Sequence, residues 1–442
     1  MKKVLAILLA GMMTATAFAG CGSSGNASSA AGNESKSDAT EVIKDGKIDA
    51  KMFGDEKDVV LKVWAPDKGV KLAKEHIEKF KKMYPEVSFK KIEVVAQGEG
   101  DAATQMLNDP SKAADLFSFP SDQLNKLEDA HALAPVPKSL VGQITEDNIE
   151  TTVKAATNGD SLYAYPETND NGYYLVYDKT VVTDENAKTL EGVLKACKDK
   201  KKDFIMDCGD GFYACTFAFT AGAEIDGFEK NSDGEDVQKF KEFDENEAVD
   251  TLMAFAKLMK DYKGTFKSLS PAQIASGFTN KSLGAGVDGS WNSKADEKAL
   301  GDNYGVAPLP TVNVNGKDKQ MKSMFGYKYI GVNAKCKFLR SAHILAYFLA
   351  SEECQVDRAK EIGWGPSNKK AQEDESVKNS ATLQAIAAQS QNAVPQVNIQ
   401  GTLWDAMSTL GSEMMKDSWK PDDKEATKKL LQDTIRDTRD EG

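Results

Sequence analysis

Histidine is scarce in this chain. Its 442 residues contain only three, His76, His131 and His343, and none stands at metal-ligand spacing from another or from a cysteine cluster. No GxSxG elbow, Walker loop, HExxH motif or dinucleotide fingerprint occurs, so the usual sequence supports for nucleophilic, phosphoryl-transfer or hydride chemistry are missing. The run Gly284 to Gly289, GAGVDG, is glycine-rich but closes a strand instead of joining a strand to a helix. Positive charge is in deficit: 56 Lys and Arg against 68 Asp and Glu leave a net charge of −12, the wrong sign for a nucleic-acid partner. Beyond Cys21 the five cysteines Cys197, Cys208, Cys215, Cys336 and Cys354 are odd in number, widely spaced and free of any CxxC pair, so they read as buried free thiols. Only Cys208 and Cys215 are near enough in sequence to leave pairing open. Long apolar runs are absent too: Val4 to Met13 falls short of the roughly 20 residues that a membrane-spanning helix needs. No metal and no cofactor is expected.

What the amino terminus does contain is an export signal over residues 1–20: Lys2 and Lys3, the short apolar stretch, and the small-residue exit Ala17-Phe18-Ala19-Gly20. Phe18-Ala19-Gly20-Cys21 resembles the lipobox of bacterial lipoproteins, which implies acylation of Cys21 and attachment to the outer face of the cell membrane. The Gly/Ser/Ala/Asn-rich stretch that follows has almost nothing apolar to bury, so residues 21–55 are expected to form a flexible tether. About 390 residues then remain, more than one hydrophobic core usually organises, and two domains are expected.

The folded part opens with the apolar run Val59–Trp64. Ala73, Ile77, Phe80 and Tyr84 then recur at helical spacing, with lysines on the opposite face. Strand-like Val87–Val94, a helical segment around Asp101–Leu107 and strand-like Ala114–Phe119 complete a β-α-β-α-β progression, the mark of an α/β fold. In open α/β sheets ligands bind beyond strand ends, which directs attention to Asp67, Lys68, Phe119 and Asp122. Further on, Leu162–Lys179 reads as two strand-like runs around an acidic, amide-rich middle. Phe204–Ala223 reads as a short strand, a polar loop and an apolar helix, and Leu283–Trp291 as a small-residue strand that presents Trp291. His76 and His343 sit within helical patterns and are expected to pack or face solvent.

Several aromatic residues lie at loop positions with polar neighbours: Phe119 near Asp122 and Gln123, Phe212 and Tyr213 near Asp210, Trp291 next to Asn292, and Trp404 next to Asp405. A sugar ring has an apolar C–H face and a belt of hydroxyls, so flat aromatic platforms flanked by carboxylates and amides suit it. Trp64 and Trp419 read as structural. Trp364, in a Gly-Pro loop, is open to either reading.

In order along the chain, VVLKVWAPDKG, ADLFSFPSDQL, YAYPETNDNGYYLVYDK, FTNKSLGAGVDGSWN, NYGVAPLPT and VPQVNIQGTLW resemble the extracellular solute-binding proteins of ABC importers, family 1, and among them the maltose/maltodextrin-binding proteins. The resemblance implies a two-lobed, type II periplasmic-binding-protein-like fold, each lobe a sheet flanked by helices and the two joined by hinge strands. The first lobe would comprise residues 56–168 and 328–370, the second 169–327 and 371–442. By position it marks Asp67, Lys68, Phe119, Asp122 and Gln123 on the first lobe as ligand-binding residues. Asp170 or Asn171 follows, then Asp210, Phe212, Trp291 and Trp404 on the second lobe. Phe119 stands where the family has a Trp, and Gln123 where it has an Arg. The implied function is capture of an α-glucan oligosaccharide by hinge closure, without catalysis, in partnership with membrane permease subunits. The protein is expected to act as a monomer that meets the membrane through its lipid alone. A β-linked or trehalose-like ligand is the alternative within binding, and a secreted glycoside hydrolase the alternative outside it.

Overall fold

The computed structural model describes residues 42–44 and 46–439. The export signal, Cys21 and most of the tether lie outside these described residues. The chain enters as a small hairpin, Ile43–Lys44 with Lys47–Ile48, followed by a short 3-10 turn, Ala50–Phe53. The tether expected to reach residue 55 therefore gives way to folded chain earlier. Ile48 and Phe53 are buried, the Phe53 ring meets Tyr84 edge-on at 4.9 Å, and the Tyr84 hydroxyl donates to the Ile48 carbonyl at 3.0 Å. Two apolar side chains are enough to pin a segment that is otherwise polar.

The expected alternation then forms as β1 (Val59–Ala65), α1 (Val70–Met83), β2 (Phe89–Ala96), α2 (Glu99–Asn108) and β3 (Leu116–Pro120). Strand β1 lies between β2 and β3 and runs parallel to both. Helix α1 buries Leu72, Ile77 and Phe80 and stops before Pro85, because proline disfavours helical backbone in the residue preceding it. His76 on this helix packs inward with Nε2 3.0 Å from Asp357, and His343 lies 2.9 Å from the Tyr165 hydroxyl.

The next strand departs from expectation. Leu162–Lys179 reads as two runs, yet β4 (Ala164–Asp178) is one continuous strand of 15 residues. It is followed by β5 (Asp203–Ile205), α3 (Gly211–Ala221), β6 (Phe266–Lys267), β7 (Leu283–Gly289), α4 (Ser293–Leu300) and β8 (Tyr304–Ala307). The chain then forms β9 (Ser323–Val332), α5 (Leu339–Leu349), α6 (Glu352–Ile362), β10 (Ala393–Pro395) and α7 (Thr402–Met415). The strands join in the order β6-β5-β7-β4-β9-β3-β1-β2, with β8 also on β4 and β10 also on β9. The first part of β4 pairs with β9, and the part from Tyr173 onward pairs with β7. Its amide-rich middle stays extended because the exchange of neighbours occurs there, with Asn171 donating to Gln396 and Asp170 accepting the Gly365 N–H.

Two large cores form. One gathers Val63, Phe80, Phe119, Tyr165, Tyr329 and Leu345, the other Tyr173, Phe204, Phe217, Phe255, Met324 and Leu403. Strands β4 and β9 each contribute to both, Tyr165 and Tyr173 from one, Tyr329 and Met324 from the other. The two lobes thus share two continuous strands. Cys197, Cys208, Cys215 and Cys354 are buried, Cys336 is partly so, and all five thiols are free, which answers the question left open for Cys208 and Cys215. Among the described residues no helix is long and apolar enough to cross a membrane.

Candidate functional site

A cavity of about 600 Å³ opens between the two cores, within the size range of small-molecule sites. Its second-core wall is aromatic. Asp210 caps α3, its Oδ1 accepting the Phe212 N–H at 2.9 Å, and Phe212 occupies the first turn of that helix. A Cβ on Gly211 would come within 2.1 Å of the Trp404 carbonyl oxygen. Glycine is therefore required where α3 and α7 approach, and that approach places Trp404. Trp291 follows the end of β7, and its indole lies so close over Gly289 that a Cβ there would be 2.3 Å from the ring. The Phe212 centroid is 6.0 Å from Trp291 and 6.4 Å from Trp404, and all three rings are half-buried.

The rest of the lining is mostly polar. Beyond β3, Asp122 accepts from the Gln396 side-chain amide at 2.9 Å, and Gln396 Oε1 accepts from Asn171 at 2.6 Å. Ser121 donates to the Gln396 backbone carbonyl at 2.6 Å. Burial pushes the Asp122 carboxyl up to about 7 and raises Asp210 as well. Gln123 lines the cavity, but its amide is spent on the start of α2, donating to Gly100 at 2.6 Å and accepting from Ala103 at 3.1 Å.

Lys328 of β9 forms part of the floor. Its Nζ lies 2.8 Å from Glu99 Oε2, 4.3 Å from the Trp364 ring centroid and 5.7 Å from that of Trp291. Burial alone disfavours the ammonium, but the carboxylates of Glu99, Asp170 and Glu167 outweigh it and raise its pKa. Deeper, the Ser118 hydroxyl sits 2.9 Å from Glu99 and 2.5 Å from Glu167, and Glu167 pairs with Arg358 at 3.1 Å.

At the mouth, Lys68 donates to the Trp291 carbonyl at 2.7 Å and to Asn292 Oδ1 at 2.9 Å. Behind that turn Asp288 and Asp296 are fully buried, and burial raises both carboxyls.

Of the residues marked by sequence, Asp122, Gln123, Asn171, Asp210, Phe212, Trp291 and Trp404 line the cavity. Asp67 and Lys68 sit on the exposed 3-10 turn Asp67–Gly69 outside the lining. Two assignments are corrected. Phe119 is fully buried with its ring 5.4 Å from Phe117 and 5.9 Å from Tyr329, so it belongs to the core. Strand parity is the reason: Phe117 and Phe119 face the core, leaving Pro120 on the cavity. Asp170 is also buried and accepts the Gly365 N–H at 2.6 Å, whereas its neighbour Asn171 lines the cavity. Glu99, Lys328 and Gln396 line the cavity without having been singled out, and so do Tyr213 and Asn292, which the sequence marks as neighbours of Phe212 and Trp291. Of Glu99, Lys328 and Gln396, only Gln396 had a signal, because it lies in a motif carrying the resemblance. Trp364 is buried beneath Lys328 and does not line the cavity.

Two lobes sharing continuous strands around a cavity, one wall aromatic and the rest of the lining mostly polar, define a hinged binding protein of the type II periplasmic-binding-protein fold. Residues 75–385 match the family described as bacterial extracellular solute-binding protein, and the chain belongs to that family, whose members bind solutes and are not enzymes. A maltotriose-binding protein of Pyrococcus abyssi is 24% identical over 384 residues, spanning 81% of this chain and 77% of its own. A solved structure with acarbose has a TM-score of 0.76 at 26% identity, covering 87% of this chain and 99% of that one. The Thermus thermophilus maltotriose-binding protein bound with maltotriose superposes with a TM-score of 0.70 at 20% identity, covering 86% of this chain and 98% of its own.

Proposed function

We propose that the protein captures a maltooligosaccharide for an ABC importer, closing two lobes on it by hinge bending about β4 and β9. The observation that carries this reading is the pair of half-buried indoles, Trp291 and Trp404, flanking Phe212 on one wall of the interlobe cavity that the Asp122–Gln396–Asn171 hydrogen-bond chain also lines. Aromatic faces suit the apolar side of a glucose ring, and the carboxyl and amide groups suit its hydroxyls. We assign sugar contacts to Trp291, Trp404, Phe212, Asp210, Asp122, Gln123 and Asn171. The lobes are assigned to 56–168 with 328–370 and 169–327 with 371–442, a division supported by the separate cores. A ligand that touches both lobes, Asp122 and Gln123 on the first and the aromatic residues on the second, favours the closed state by its differential affinity for it, and permease subunits can read that state without chemistry on the sugar. Acylation of Cys21 holds the protein, as a monomer, on the outer face of the membrane.

Calorimetry across maltose to maltoheptaose, with cellobiose, xylobiose and trehalose alongside, tests the ligand. Heat with the α-1,4 series and none with cellobiose is expected. Silence with every α-1,4 glucan overturns the assignment. Chromatography of maltoheptaose after incubation tests the hydrolase alternative, and release of shorter sugars would refute binding without catalysis.

A further inference from the structure

By position Lys68 stands where the family places a sugar ligand, yet its ammonium is engaged elsewhere. It follows β1, whose Val59, Leu61 and Val63 lie in the first core, and it reaches the turn after β7, whose Ala285 and Val287 lie in the second. There it donates to the Trp291 carbonyl at 2.7 Å and to Asn292 Oδ1 at 2.9 Å. The acceptor is prepared for it. Asn292 Nδ2 donates to Asp288 Oδ1 at 2.8 Å, which turns the amide oxygen outward, and Asp288 is itself held by the Gly289 N–H at 2.7 Å. A second element of the first lobe meets the same turn: Gly363, which caps α6, lies so close to Ser293 that a Cβ would be 2.6 Å from its Oγ. The turn carrying the Trp291 platform is therefore gripped from two sides. Trp291 and Asn292 line the cavity, whereas Lys68 does not.

We propose that Lys68 is an interlobe clasp: it bonds the second lobe at the Trp291 carbonyl and the Asn292 side chain, and so holds the cleft closed and the platform in place. Lys68 is then a positioning residue, acting on the ligand through the turn it holds. A charged donor with two well-placed acceptors stabilises more than a neutral hydrogen bond. Its removal shifts the lobes toward the open state with or without ligand. For ligand kinetics the consequence is directional, since a clasp that must break again before a bound ligand can leave governs departure more than arrival.

The test compares the wild-type chain with Lys68→Met, which keeps the aliphatic stem and removes the ammonium, and with Asn292→Ala, which removes one acceptor. Small-angle scattering without sugar reads lobe closure. A larger radius of gyration for Lys68→Met, with a smaller increase for Asn292→Ala, is expected; equal radii for wild type and Lys68→Met would overturn the clasp. Circular dichroism verifies that each variant is folded, and a misfolded Lys68→Met passes the decision to Asn292→Ala, for which an unchanged radius counts against the proposal. Stopped-flow tryptophan fluorescence with maltotriose gives the second readout and rests on the sugar-binding reading. Dissociation should be faster by about tenfold in Lys68→Met with association little changed, and an unaltered dissociation rate would refute the clasp. Should wild type bind no α-glucan, the sugar reading fails and the sugar-free scattering still decides the clasp.

Discussion

The side-chain amide of Gln396 donates to the Asp122 carboxylate at 2.9 Å, joining residues 274 positions apart in sequence. Asp122 follows β3 of the first lobe, and Gln396 follows β10, which pairs with the second-lobe end of β9. The contact therefore sits where motion about the hinge strands is felt, and it brings a carboxyl into the cavity wall.

That carboxyl makes stability depend on pH. Burial raises Asp122 from the ordinary 3.8 to about 7. Between those values the folded protein holds a proton that the unfolded chain releases, so the associated stability is fully present below the lower value and lost as pH rises through the upper one. Asp122→Asn cannot ionise and keeps an oxygen for Gln396. Its thermal midpoint relative to wild type should climb by a few degrees from about pH 4 to about pH 8. A difference independent of pH would place the titrating group elsewhere.

The aromatic wall predicts a loss of affinity on truncation. Trp291→Ala and Trp404→Ala should each weaken maltotriose binding by about 1–3 kcal/mol, measured by calorimetry. Because both rings flank Phe212, the double variant should depart from additivity. Wild-type affinity in both single variants would remove the platforms from the site.

Phe119→Ala tests the corrected role of that residue. Loss of a fully buried ring packed against Phe117 and Tyr329 should cost about 3–5 kcal/mol in urea unfolding. At temperatures where the variant stays folded, sugar affinity should remain close to wild type. Large affinity loss with little loss of stability would return Phe119 to the binding surface.

Lys328 and Glu99 form a pair whose side chains are 4% and 13% exposed. Lys328→Met leaves the acidic group of Glu99, Glu167 and Asp170 short of a cation and should destabilise the protein by about 3–5 kcal/mol. Adding Glu99→Gln removes one of the stranded charges and should recover part of that loss. Equal stability of the single and double variants, read by urea unfolding, would show that the two residues are not coupled.

Much of this architecture was legible in one dimension. The stripe of Ile77, Phe80 and Tyr84 announced α1, the alternation up to β3 announced an α/β lobe, and the apolar run that closes Phe204–Ala223 announced α3. Trp291 and Trp404 stood out because tryptophan beside Asn or Asp is poorly explained by core packing alone, although Trp404 proves to lie in the first turn of α7 and not in a loop. Phe119 shared that setting and was misplaced, because a one-residue difference in strand parity exchanges core for cleft.

Local matters can be read along the chain: most helical and extended segments, the absence of metal-ligand and nucleophile motifs, and which aromatic side chains have polar company. Those follow from periodicity and from neighbours a few residues away. Tertiary structure alone decided that β4 is one strand shared by two cores, that Gln396 meets Asp122, that Lys328 pairs with Glu99 in the cavity floor, and that Lys68 reaches Trp291. Each depends on strand register and on contacts across more than a hundred residues, and a polar side chain carries no local sign of the partner that folding will bring to it.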